Sequence, residues 1–404
     1  MRTRNQLVSA LGAAALVALA GIAQAEPLRV GALMPMTGDL QAYGESSRNG
    51  VELAIKEINA AGGVMGEPIE LEVSDTQTQP QAGVDAAQRL VSVQNVSAIV
   101  GALSSGVTIP VASSVTSSEG VPQISNASTS PVMTELEDND FLFRTTPSDA
   151  FQGTALASVA IEKGIDSAAI LYINNDYGEG LADAFTEAFI AAGGNVVGSA
   201  GYEPGQASYR GDLSAVADGR SPLLLIGYPE NGQTILRQAL EGGHFSEFMF
   251  TDGMKSPQIV ENLGAQYLNG SFGTAAEARD DTDAAQHFRG AYEESYGELP
   301  PVPYIDTAYD AVYSIALAAV AGNSTDPVSI RDHLRVINQP DGEVVGPGEF
   351  ARAVERLKAG GAINYQGASG SVDFDANGDV GGTFAHWEIQ EGEYVTVRIF
   401  EPQI

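Results

Sequence analysis

The chain has 404 residues, 44% of them hydrophobic, with 52 acidic side chains against 20 basic ones and a formal net charge of −32. That acidity excludes partners that require a basic surface, nucleic acid and anionic membranes among them. The lack of cysteine excludes disulfides, thiolate metal sites and thiol chemistry, and the length and apolar content suffice for more than one packed core.

Residues 1–25 read as a cleaved secretory signal. Arg2 and Arg4 form a positive start, Leu11 to Ile22 is apolar and small throughout, and Ala23-Gln24-Ala25 offers a peptidase site. The run is too short to span a bilayer, and no cysteine stands at the cleavage point to carry lipid. A free periplasmic protein is expected. Removing this segment takes away two arginines and no acid, moving the formal charge from −32 to −34.

From Leu28 onward the pattern alternates strand and helix. Leu28–Leu33 predicts a strand, and Val51, Ala54, Ile55 and Ile58 recur at helical spacing before Gly62-Gly63 stops the helix. Pro68–Val73 predicts a strand, Pro80 opens a helix, and Ala98–Gly101 and Val121–Ser125 are short apolar strands. This alternation implies a parallel sheet wrapped by helices. The pattern restarts at Phe141–Phe143, with a helix over 149–163, a buried strand at Ala168–Ile173 and a helix after Tyr177. Strands follow at Asn195–Ser199, Leu223–Ile226 and Phe248–Phe250. Two doubly wound lobes are expected rather than a solenoid, because the architecture repeats and the sequence does not. Helices near 283–296, 307–321 and 350–359, a loop over 342–348 and strands at Ser371–Phe374 and Phe384–Ile389 close the chain. These late elements are expected to complete the first lobe before the chain returns to the second.

Ligands of open α/β sheets bind beyond the carboxyl ends of the strands. Those positions here carry Leu103-Ser104-Ser105-Gly106, then Ser125 to Ser130, then Asn174 to Gly178, then Gly227-Tyr228-Pro229-Glu230, then Thr251-Asp252-Gly253. Tyr43-Gly44 follows the first strand at a short remove. The first lobe thus offers hydroxyls and backbone amides, which suit a carboxylate. The second offers Asp252 and two phenols, which suit an ammonium. Any one of these residues alone is also an ordinary turn or cap residue; the combination points to a small zwitterion.

Other signals carry less. Asp375-Ala376-Asn377-Gly378-Asp379 imitates a calcium loop but lacks its sixth-position glycine and final glutamate, and reads as a hairpin turn between the two late strands. His244, His287, His333 and His386 are too scattered to form a ligand set, and no metal or cofactor is expected. No nucleotide fingerprint is present, and no base is placed to activate Ser104 or Ser105.

The stretches Gly31-Ala32-Leu33-Met34-Pro35-Met36-Thr37-Gly38, Tyr43-Gly44 and Ile58-Asn59-Ala60-Ala61-Gly62-Gly63-Val64 resemble the opening of the leucine/isoleucine/valine-binding proteins. These are type I periplasmic solute-binding proteins of ABC transporters. Val100–Ser105, Asp176–Gly180 and Gly227–Glu230 continue the resemblance in order.

The resemblance implies two Rossmann-like lobes joined by three hinge crossings, with residues 26–146 plus 277–383 in one lobe and 147–276 plus 384–404 in the other. It implies that Ser105 and Thr129, beside Ser104 and Ser128, hold a carboxylate. The carbonyl near Ala127 and Asp252 would take an ammonium. Tyr177 and Tyr228 would cover the ligand, and Tyr43 and Tyr304 would wall its side chain. Asp252 stands where branched-chain binders carry Glu, one methylene and about 1.5 Å of reach shorter. Asn126-Ala127 replaces a Pro-Gly turn, and the family's frequent cysteine pair is missing.

The expected function is capture of a small metabolite, an amino acid of branched-chain type, by a monomer that delivers it to an inner-membrane ABC permease, with no reaction catalysed. The alternatives are a sensing role for amides or small carboxylic or aromatic acids and, remotely, a secreted serine hydrolase.

Overall fold

A computed structural model describes residues 26–402; the signal-peptide expectation lies outside them. The first sheet contains β1 (Arg29–Met34), β2 (Glu70–Asp75), β3 (Ala98–Gly101), β4 (Gln123–Ser125) and β5 (Leu142–Arg144), all parallel in the order β2-β1-β3-β4-β5. Successive side chains of β1 and β3 serve different cores: Val30, Ala32 and Val100 pack in the main one, Leu33 and Ile99 in a second one with Leu90 and Val107. That is the two-faced burial expected of a parallel sheet, whose strands read as continuous apolar runs.

The second sheet contains β6 (Ser167–Ile173), β7 (Asn195–Tyr202), β8 (Leu223–Ile226), β9 (Phe248–Phe250) and β10 (Phe272–Ala276). Its edge is extended by β14 (Phe384–Gln390) and β15 (Glu393–Phe400), giving the order β15-β14-β10-β9-β8-β6-β7. The last two strands run antiparallel to their neighbours. The strand at Phe384 therefore joins the second sheet, pairing with β10. Trp387 explains the attraction: it is fully buried against Phe250 and Tyr394.

Between the sheets the chain crosses after β5, after β10 and before β14, so the fold is two lobes joined by three crossings. Helices Gln41–Ala60 and Ile305–Gly322 pack against each other on the first lobe. A small third sheet, β11 (Glu343–Val345), β12 (Ile363–Gly367) and β13 (Gly370–Ser371), flanks the second of these helices. Part of the segment expected to be a loop over 342–348 is thus a strand, paired in parallel with β12.

The calcium-like segment is not a hairpin turn, because β13 and β14 lie in different sheets. Asp375 Oδ1 accepts the amides of Asn377 and Asp379 at 2.8 and 3.0 Å, which curls the loop. Asp379 then takes both Nε and Nη2 of the fully buried Arg144 at 2.7 and 2.8 Å. The loop is tied to the end of β5 next to two of the crossings. Removing one partner would leave a buried charge uncompensated, at a cost of about 3–5 kcal/mol.

Candidate functional site

The carboxyl ends of the two sheets face each other across the crossings. Gly101 ends β3 with φ +123°, where a Cβ would stand 2.2 Å from the Leu33 carbonyl oxygen; only glycine fits, and the turn it permits sends Leu103, Ser104 and Ser105 toward the cleft. Across the gap, Gly253 after β9 packs so closely that a Cβ would lie 2.4 Å from the Gly227 oxygen, which brings its carbonyl and Asp252 to the cleft surface.

A cavity between the lobes is lined by Leu40, Tyr43, Leu103, Ser105, Ala127 and Tyr304 from one side. Tyr177, Tyr228, Asp252 and Gly253 line it from the other. The lobes touch around it. Tyr43 donates to the Gly253 carbonyl at 3.0 Å, the Ser104 and Tyr228 hydroxyls lie 3.0 Å apart, and Tyr304 donates to Asp252 Oδ2 at 2.6 Å. Tyr177 and Tyr228 stack 5.5 Å apart with planes 12° from parallel, so the second lobe presents a flat aromatic wall.

Tyr304 is held in an unusual way. It opens helix Ile305–Gly322 at φ +76°, a left-handed conformation that costs a non-glycine residue about 1–2 kcal/mol. Asn126 donates from Nδ2 to its carbonyl at 3.0 Å, so a side chain from the loop after β4 fixes the tyrosine that meets Asp252.

Asp252 is buried and accepts only from neutral groups. Tyr304 reaches Oδ2, while Tyr177 and Gln152 reach Oδ1 at 2.8 and 2.9 Å. Among the described residues, no Lys, Arg or His lines the cavity. Burial pushes the Asp252 carboxyl above its ordinary range, and these three hydrogen bonds oppose the shift. Asp149, at the start of helix Asp149–Glu162, is buried nearby. Its carboxyl is pushed well up, first by burial and then by the charge of Asp252, with Thr129 and Arg144 acting the other way.

Of the residues singled out from sequence, Tyr43, Ser105, Ala127, Tyr177, Tyr228, Asp252 and Tyr304 converge on the cavity. Ser104 stands at its edge through Tyr228. Ser128 and Thr129 do not reach it. Ser128 Oγ is turned into the first lobe, within 3.0 Å of the Leu103 carbonyl and 2.7 Å of Thr108 Oγ1. Thr129 donates to Asp149 Oδ2 at 2.7 Å. Both hydroxyls answer buried polar partners that strand-by-strand reading does not bring together. Sequence reasoning missed Leu40, Gln152 and Asp149. Ser148-Asp149 reads simply as a helix start, and Ser148 does cap it, accepting the Ala150 amide at 3.3 Å. Among the described residues, no group of three or more His, Cys, Asp or Glu is placed to hold a metal ion.

The model of the family described as periplasmic binding protein matches residues 27–364. The chain belongs to that family. Leu/Ile/Val-binding protein homolog 1 of Brucella abortus is 31% identical over 333 residues, covering 81% of this chain and 87% of that protein. Among solved structures, the branched-chain amino acid transporter substrate-binding protein of Streptococcus pneumoniae, in complex with isoleucine, superposes with a TM-score of 0.78. It is 24% identical and covers 93% of this chain and 100% of its own. A solute-binding protein of an ABC transporter from R. palustris, in complex with benzoate, gives a TM-score of 0.75 at 18% identity, covering 94% of this chain and 98% of its own. The family is one of binding proteins and not of enzymes.

Proposed function

We propose that the chain captures a small α-amino acid between its lobes in the periplasm, after loss of residues 1–25, and delivers it to an ABC permease. The observation that carries this reading is Asp252: a buried carboxylate on the cavity wall whose hydrogen-bond partners are all neutral. A ligand ammonium supplies the missing positive charge, and each charge-assisted bond to it is worth about 1.5–3 kcal/mol. The Ala127 carbonyl adds a second acceptor, and the faces of Tyr177 and Tyr228 attract a cation. Opposite them, Ser105 Oγ and the Ser105 and Gly106 amides, ahead of the Val107 and Thr108 amides that donate to the Ser104 carbonyl, suit the carboxylate. Tyr43 and Tyr304 bound the side chain.

The name of the Brucella relative and the isoleucine bound to the S. pneumoniae protein support an amino acid of branched-chain type. A benzoate-like acid fits less well, since it brings a negative charge to Asp252 and no cation.

A thermal-shift panel of α-amino acids, amides and aromatic acids tests this. An amino acid at a hundredfold excess over Kd should add about 2.7 kcal/mol of stability and raise the midpoint by several degrees. A shift with benzoate or a neutral amide and none with any α-amino acid would overturn the assignment.

A further inference from the structure

Asp149 stands behind Asp252 of the cavity wall, and among the described residues the hydrogen-bond partners of the two carboxyls include no cation. Gln152, one helical turn on from Asp149, bridges to Asp252 Oδ1 at 2.9 Å. From the loop after β4, Thr129 donates to Asp149 Oδ2 at 2.7 Å, while Asp149 Oδ1 is buried with no hydrogen-bond partner among the described residues. From β5, Arg144 faces Asp149, but its guanidinium is committed to Asp379, Thr134 and the Ser130 carbonyl. Tyr177 and Tyr304 bond to Asp252, and Tyr43 and Tyr228 lie within its field. None of these phenols carries positive charge. Two carboxylates in one dry site cannot both ionise without a large penalty, and the unpartnered Oδ1 is an atom on which a proton can reside.

We propose that Asp149 and Asp252 share one proton in the ligand-free protein and release it when an ammonium binds, so that capture weakens on acidification. Asp149 does not line the cavity; it is a positioning residue that sets the charge state of Asp252. The sign follows from linkage. The pair holds its proton to a higher pH when free than when a cation sits beside it. Binding therefore releases a proton in the window between those two values, and affinity rises with pH there, by up to about tenfold per pH unit.

The proposal rests on the amino-acid reading for its ligand, but the shared proton can be tested without one. Carboxyl-carbon NMR of the ligand-free protein should show an Asp252 resonance titrating above the ordinary carboxylate range, and in Asp149→Asn it should move back toward that range. Asparagine keeps the size and the Thr129 contact. An Asp252 that titrates normally, or that ignores Asp149→Asn, overturns the shared proton. Calorimetry in two buffers of different ionisation enthalpy, at a pH below the Asp252 midpoint found by that NMR titration and with the amino acid giving the largest thermal shift among glycine, L-alanine, L-valine, L-leucine and L-isoleucine, should then show release of a large fraction of one proton. In Asp149→Asn the release should fall sharply while binding persists. Binding without proton release defeats the linkage and leaves the amino-acid reading standing. Failure of every amino acid to bind defeats that reading, while the NMR titration still decides whether the pair shares a proton.

Discussion

Asp252 and Asp310 are both buried aspartates whose carboxyls burial pushes above the ordinary range, yet their surroundings differ. Asp310, on helix Ile305–Gly322, accepts the Ala368 and Ser369 amides at 2.9 and 2.8 Å. It also takes the Tyr365 and Ser369 hydroxyls at 2.7 and 2.5 Å. All four donors come from one short segment, two of them backbone groups that cannot leave without unfolding it. Asp252 has three side-chain donors from three separate elements, one of them across the cleft. A carboxylate saturated by its own local chain is a fastener. One whose donors come from both lobes, with a second acid behind it, is not locked to a single local segment.

Asp252→Ala should weaken amino-acid binding more than a hundredfold, equivalent to about 2.7 kcal/mol or more, with the ligand-free melting midpoint nearly unchanged. Calorimetric titration and a melt measure the two; unaltered affinity would remove Asp252 from the site. Asp310→Ala should do the reverse. Four donors lose a buried acceptor, so unfolding should become easier by about 3 kcal/mol while affinity of the folded protein stays within about threefold. A denaturant series beside a binding isotherm reads both. Tyr304→Phe sharpens the contrast with the smallest change. It deletes one hydroxyl bridging the lobes, worth about 1 kcal/mol or roughly fivefold in Kd, and should leave ligand-free stability unaltered.

The alternation that placed β1, β3, β6, β8 and β9 was legible because these strands are buried on both faces, so each reads as an unbroken apolar run between helical repeats. β15 was not, since its residues Val395 and Val397 are exposed on an edge and resemble surface loop. β12, with Asn364 and Gln366 alternating against buried Ile363 and Tyr365, was obscured by its polar half. At the cavity, residues that directly follow strands were legible, because strand order alone carries them to one rim.

What the sequence determined by itself is therefore the local part: the wound α/β halves, the family, and the rim positions of Ser105, Tyr177, Tyr228 and Asp252. Tertiary structure alone decided where Ser128 and Thr129 turn, that Asn126 holds Tyr304, and that Asp149 stands behind Asp252. These residues are far apart in the chain, from 20 positions between Thr129 and Asp149 to 178 between Asn126 and Tyr304. Hydrogen-bond demand in a buried space belongs to the assembled neighbourhood, and no periodicity along a strand or helix records which distant group will meet it.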